Sequence, residues 1–114
     1  MIALMCALML LGPKPADAEV LTTSCYGEEL RGSPPASGVP FDPDAYTAAH
    51  LGYPFGTVLA VTSLDTGATV CVAVNDRGPY VAGRGLDMTC ASMQALGLAP
   101  GVYLVDIEVA GYAY

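Results

Sequence analysis

Thr69-Val70-Cys71-Val72-Ala73-Val74 runs without a break into Asn75-Asp76-Arg77-Gly78-Pro79-Tyr80. In the first half Val70, Val72 and Val74 alternate with Cys71 and Ala73, the period of a strand that turns one face to a core. The second half ends that run with an acid, a base, a glycine and a proline. A strand that stops in Asp-Arg-Gly-Pro sets a carboxylate and a guanidinium at a sheet edge, on a turn fixed by Gly78 and Pro79. Charged groups on loops held by a rigid scaffold are a common way of building an active site.

Outward from that stretch the pattern stays β. Thr57 to Leu64 reads as the preceding strand, joined to Ala68–Asn75 through the hairpin signal Asp65-Thr66-Gly67. Val20 to Tyr26 reads as an opening strand stopped by Gly27, and Val102 to Val109 as a closing one, with Tyr103, Val105, Ile107 and Val109 alternating against Leu104, Asp106 and Glu108. Arg84 to Asp87 forms a brief strand. Thr89 is placed to cap a helix that runs through Leu96 and stops at Gly97, with Met93 and Leu96 on its buried face. Residues 27–45, rich in Gly, Pro, Ser and Asp, form a long aperiodic loop, the kind that carries function in a small domain. Asp44 to Ala49 is expected as a helical turn leading into His50, and residues 110–114 are expected to fray. About six strands and one short helix favour a small barrel over a sandwich.

The 114-residue chain is one domain. Ile2 to Leu11 is an apolar run of ten residues, short of the about 20 that span a bilayer. Ala16-Asp17-Ala18 follows as a cleavage pattern, so residues 1–18 read as a secretory signal peptide and 19–114 as the mature domain. No Lys or Arg precedes the apolar run. Met5 occupies the place of a small residue before Cys6, which argues against lipid anchoring there. After residue 18, three basic residues (Arg31, Arg77, Arg84) face ten acidic ones, a net charge of −7. That balance excludes nucleic acid and anionic membrane surfaces as partners, because no basic stripe is present to neutralise phosphates. No membrane insertion is expected once the signal is removed, and the domain is expected to be monomeric. Export makes a disulfide feasible among Cys25, Cys71 and Cys90. Cys71 with Cys90 is favoured, closing a loop for about 3 kcal/mol, with Cys25–Cys71 and Cys25–Cys90 left open. No C-x-x-C pair exists and His50 is the single histidine, so no metal or other cofactor is expected.

Six blocks stand in a telling order: Ser37-Gly38, Phe41-Asp42-Pro43, Thr47-Ala48-Ala49-His50, Pro54-Phe55-Gly56-Thr57, Asn75-Asp76-Arg77-Gly78-Pro79 and Asp87-Met88-Thr89. In order and spacing they resemble the rare lipoprotein A family over residues 22–109. The resemblance implies a mainly β, six-stranded double-psi β-barrel with one short helix, related in fold to expansins and family 45 endoglucanases. It also implies lytic transglycosylase activity on peptidoglycan glycan strands in the periplasm or cell wall. Three departures are visible. Val39 stands where members commonly carry an acid after Ser-Gly, Cys25 where an aromatic residue often precedes Tyr-Gly, and no peptidoglycan-binding repeat domain is expected in this sequence.

A lytic transglycosylase needs one carboxylic acid that protonates the leaving oxygen and then, as carboxylate, takes the proton of the muramic C6 hydroxyl. Such an acid must be held protonated near neutral pH by burial or like charge. Carried over on the matching positions, the catalytic candidates are Asp42, His50, Asp76 and Asp87, with Asp76 and Asp42 as the leading pair. His50 would orient a carboxylate or hold sugar hydroxyls, Arg77 would hold a carboxylate or the loop, and Tyr26 and Tyr80 would line a groove against sugar faces. Each also has a plain structural reading. Asp76 suits a turn cap or ion pair, Asp87 a helix N-terminus, His50 a structural hydrogen bond, and Phe41 and Phe55 a core. Val39 removes one acid and is expected to weaken activity. The competing classes are a non-catalytic expansin-like glycan-binding module, a hydrolase yielding reducing ends, and, more distantly, a Cys-His peptidase using Cys25 and His50.

Overall fold

The computed structural model describes residues 19–26, 38 and 42–112. The expected signal peptide, most of the expected 27–45 loop, and Val39 and Phe41 lie outside the described residues. Within them the chain forms β1 (Glu19–Tyr26), β2 (Thr47–Ala49), β3 (Thr57–Ser63), β4 (Thr69–Asp76), β5 (Leu86–Thr89), a helix α1 (Cys90–Ala95) and β6 (Tyr103–Tyr112). The strands close into a barrel in the order β1-β5-β2-β4-β3-β6, with β6 pairing back onto β1. β1 with β5 and β2 with β4 are parallel, and the other four pairs are antiparallel. The six-stranded, mainly β barrel expected from the sequence is the observed architecture.

Alternation builds the interior. Val70, Val72 and Val74 from β4, Leu59 and Val61 from β3, Leu86 and Met88 from β5 and Val105 and Ile107 from β6 all point into one buried cluster. Each such side chain contributes about 1.5–3 kcal/mol by leaving water. α1 plugs this core with Met93 and Leu96, both fully buried. Its N-terminus is capped as expected: the Thr89 hydroxyl accepts the Ser92 N–H and donates to the Ala45 carbonyl. Gly97, at φ +81°, ends it where a side chain would be strained. The hairpin turn at Asp65–Gly67 is likewise as expected, with the Ser63 hydroxyl oxygen accepting the Asp65 and Thr66 N–H groups.

Four expectations are corrected. Thr47–Ala49 is a strand, not part of a helical turn, because its backbone groups find partners on β4 and β5 at once, and pairing on both sides overrides the helix propensity of two alanines. The strand expected at Arg84–Asp87 is shifted to Leu86–Thr89, since only there do apolar residues at period two meet the core. β6 runs on to Tyr112, because Gly111 and Tyr112 pair with Val58 and Thr57, so the fraying expected from residue 110 is not seen at 110–112. The Cys71–Cys90 bridge is replaced by Cys25–Cys90, with Cα atoms 4.9 Å apart. The parallel register explains it: Tyr26 lies opposite Thr89, so the neighbours of that pair, Cys25 and Cys90, meet where β5 turns into α1. Cys71, itself disulfide-bonded elsewhere, lies in a separate buried cluster with Val58 and Ala60 on the outer face of β3 and β4.

Candidate functional site

The register of four adjacent strands draws one row of residues across the barrel. Ser24 on β1 pairs with Asp87 on β5, Asp87 with Ala49 on β2, and Ala49 with Asp76 on β4. Residues in register share a face of the sheet. On β1, β5 and β2 the neighbours Cys25, Met88 and Ala48 face the core, so Ser24, Asp87 and Ala49 face outward.

Asp76 should break the row. By simple alternation it would follow Val70, Val72 and Val74 into the core. A bulge prevents this: Ala48 pairs with Val74 while Ala49 pairs with Asp76, so β4 advances two residues where β2 advances one. The extra residue reverses the facing of everything after it, and Asp76 is turned out beside Ala49. Two strand spacings separate it from Asp87, about 10 Å between backbones, with the methyl group of Ala49 as a low floor between them.

Asp76, Asp87, Tyr26, Tyr80 and Arg84 line an open groove of about 270 Å³ over this row. The wall on one side is the loop Arg77–Arg84, where Gly78 takes φ +128°, a conformation glycine alone adopts without strain, and the Gly78–Pro79 peptide is cis. Tyr80, 80% exposed, stands at the rim as an aromatic face open to solvent. A larger concavity beside α1, about 470 Å³, is lined by Gln94, Leu98 and Pro100 with Asp44 as its carboxylate; it lacks a facing pair of acids, so chemistry selects the smaller groove.

Within the groove the electrostatics differ from residue to residue. Burial raises the Asp87 pKa, opposed by the hydrogen bond from Ser24 and the charge of Arg84. The Ser24 hydroxyl donates to Oδ1 of Asp87 at 2.9 Å, and Nη1 of Arg84 donates to Ser24 Oγ at 3.2 Å. Tyr26 is pushed strongly upward, first by burial and then by the charges of Asp87 and Asp76, against a smaller opposite effect of the Thr47 hydroxyl; its phenol stays neutral. Asp76 Oδ1 accepts the Arg77 N–H at 2.8 Å, which fixes the carboxylate on the bulge.

The remaining candidates are engaged more locally. His50 follows β2 directly, and its backbone N–H donates to the Asp76 carbonyl. Its Nδ1 accepts the N–H groups of Gly52 at 2.9 Å and Tyr53 at 3.2 Å. Burial lowers its pKa, the charge of Arg77 adds to that, and Glu19 works against it. The imidazole is therefore neutral, with its proton on Nε2. Arg77 donates from Nη1 to the His50 carbonyl at 3.2 Å and lies 4.0 Å over the Phe55 ring, holding the loop to the exit of β2. Phe55 is half-buried against the core. Asp42 sits in an exposed turn before β2, at the opposite end of that strand from His50, and its Oδ1 accepts the Asp44 N–H at 2.9 Å. The structure thus unites Asp76, Asp87, Tyr26, Arg77 and Tyr80, sets His50 against the backbone of Asp76, and leaves Asp42 outside the groove lining. Ser24 and Arg84 were not singled out from the sequence. Alternation alone puts Ser24 on the face of Tyr26, but its contact with Asp87 depends on a parallel pairing across 63 residues.

A family model described as "Lytic transglycolase" matches residues 18–109. The chain belongs to the lytic transglycolase family. A relative from Treponema pallidum named "Probable endolytic peptidoglycan transglycosylase RlpA" is 51% identical over 88 residues, which are 76% of this chain and 28% of that protein. One from Yersinia pestis, named "Endolytic peptidoglycan transglycosylase RlpA", is 42% identical over 82 residues, 72% of this chain and 23% of that protein. The resemblance to the rare lipoprotein A family is borne out, and the chain spans about a quarter of the length of these curated relatives. Among solved structures, the apo expansin of Clavibacter michiganensis superposes with a TM-score of 0.63 at 24% identity, over 81% of this chain and 50% of the other. A Streptomyces papain inhibitor superposes at 0.61 and 19% identity, over 82% and 94%. At those identities the likeness concerns fold alone, and the fold of this lytic transglycolase family member is the double-psi β-barrel.

Proposed function

We propose that this domain is an endolytic peptidoglycan transglycosylase, cleaving the bond between N-acetylmuramic acid and N-acetylglucosamine to leave 1,6-anhydro ends. The observation that carries the reading is the pair Asp76 and Asp87, turned outward on either side of Ala49 into one open groove. The names of the relatives supply the substrate class and the reaction. Asp87 is the acid: burial favours its protonated form, so it gives its proton to the glycosidic oxygen as the bond to C1 breaks. The C6 hydroxyl oxygen of the same muramic ring then bonds to C1, and its proton returns to the Asp87 carboxylate. No water is consumed and the acid is regenerated. The Asp76 carboxylate faces the positive charge that builds at C1. Tyr80 offers a ring for a sugar face, and His50 keeps an Nε2–H for a hydroxyl. Asp42 is retained as a candidate from the resemblance, in a role beyond this groove.

The domain would act on glycan strands as a monomer after export directed by residues 1–18, without lipid at Cys6. Among the described residues no helix is long and apolar enough to cross a membrane. Val39 in place of the usual acid would lower the rate relative to relatives.

Digestion of purified sacculi with product masses read by mass spectrometry tests this. Anhydro ends, lost in Asp87→Asn and Asp76→Asn and increased in Val39→Glu, are the expected result. Reducing ends would mean a hydrolase. Pelleting with sacculi and no soluble product would favour the second reading, a glycan-binding module, to which the use of Asp42 and His50 in backbone turns lends support.

A further inference from the structure

Ser24 is only 7% exposed, yet its hydroxyl lies between Asp87 and Arg84, two charged groups that line the groove. A guanidinium can only donate, so Ser24 Oγ accepts from Arg84, and it gives its single hydrogen to Oδ1 of Asp87. A neutral carboxyl accepts through its carbonyl oxygen, so Oδ1 becomes the carbonyl oxygen and the acid proton belongs on Oδ2. We propose that Ser24 and Arg84 are a positioning pair for Asp87, which together direct its proton to Oδ2 and present that oxygen to the glycosidic bond. The inference rests on the reading of Asp87 as the acid, and extends it to which oxygen acts and to what orients it.

Two features of the fold hold the pair in place. The Cys25–Cys90 bridge pins β1 to the end of β5 one residue from Ser24. Arg84 is fixed by the next residue: the Gly85 N–H donates to the Thr22 carbonyl at 2.9 Å, and a Cβ on Gly85 would lie 2.8 Å from Leu21 Cδ2. The close approach of loop and β1 that lets Arg84 reach Ser24 therefore favours glycine, since a methyl group there would have to displace the Leu21 side chain. The other groups facing Asp87 are Tyr26 on β1 and, beyond Ala49 of β2, Asp76 on β4. Tyr26 stays neutral, so Arg84 is the charge that bears on the titration of Asp87, with Ser24 acting through its hydrogen bond.

Two measurements on the whole chain test the pair. The first follows the Asp87 carboxyl carbon by NMR from pH 2 to 9, which requires no catalysis. Ser24→Ala and Arg84→Gln should each move the Asp87 midpoint up by about one pH unit, since each removes an interaction that favours the carboxylate, while Ser24→Thr, which keeps the hydroxyl, should leave it near wild type. The second is release of anhydro products against pH. The alkaline limb should move up with the midpoint in Ser24→Ala, and kcat should fall about 10- to 100-fold, a loss in the range of misoriented proton transfer, with KM little changed. Because Arg84 reaches Ser24 from the loop, its variant serves if Ser24→Ala does not fold. An unchanged midpoint in both variants, or an equal change in Ser24→Thr, overturns the pairing. Full activity in Asp87→Asn would overturn the underlying assignment of the acid instead, whatever the titration shows.

Discussion

Asp87 and His50 are perturbed in the same physical way, by burial, and the consequences for stability have opposite signs. Asp87 has a folded-state pKa above its ordinary value of 3.8, so the folded chain holds its proton more tightly than the unfolded one. Its contribution is complete below about pH 3.8 and is lost as pH rises through the folded value. Asp87→Asn should therefore raise the melting temperature at pH 7 and lose that advantage near pH 3, while losing activity throughout. For His50 the folded value lies below 6.5. Its contribution is present above about pH 6.5 and is lost as pH falls through the folded value, because a proton on Nδ1 would expel the Gly52 and Tyr53 N–H groups. Thermal melts at about pH 7.5 and 5 should show wild type weakening at the lower pH. His50→Asn, whose amide oxygen can take over the role of Nδ1, should show a flatter profile. At this scale Asp76, Arg77 and Tyr80 stand out in the sequence beside Gly78-Pro79, while Asp87 and Tyr26 enter through the family resemblance. Ser24 was missed, since a serine in an alternating strand carries no mark of its partner.

At the scale of elements, the bulge in β4 and the close packing of the 77–84 loop decide what the site is. Nothing in Val74-Asn75-Asp76 marks the bulge; it arises because β2 pairs with β4 and β5 together, and the carboxylate of Asp76 is excluded from an apolar interior. Thr47–Ala49 was misread for a related reason: three residues carry little intrinsic preference, and ladders on both sides overrule what they have. The loop yields a direct check. Gly85→Ala would press its methyl group on Leu21 and should cost about 1–3 kcal/mol by urea denaturation. It should also shift the Asp87 titration by moving Arg84, an effect that Gly83→Ala, whose added carbon meets nothing within 4 Å, should not reproduce beyond the strain of its own positive φ.

At the scale of the whole molecule, closure of the barrel makes six short strands stable together, and the Cys25–Cys90 bridge ties its first strand to its helix. The cysteines are 65 residues apart, so in the chain-entropy account the bridge contributes about 4 kcal/mol. Cys25→Ser with Cys90→Ser should lower the urea midpoint accordingly and lower turnover more than KM, since β1 carries Ser24. The positions of β1, β3 and β4, the hairpin, the capped helix and the inward residues of those strands could be read from the chain, because alternation, turn residues and caps are local properties. The family blocks added the expectation of a double-psi barrel with an acidic groove. Which cysteines bond, which way Asp76 faces, and what touches Asp87 were settled only by the folded chain. Each depends on the register between segments remote in sequence, and that register is fixed by simultaneous pairing around a closed sheet rather than by any residue's own preference.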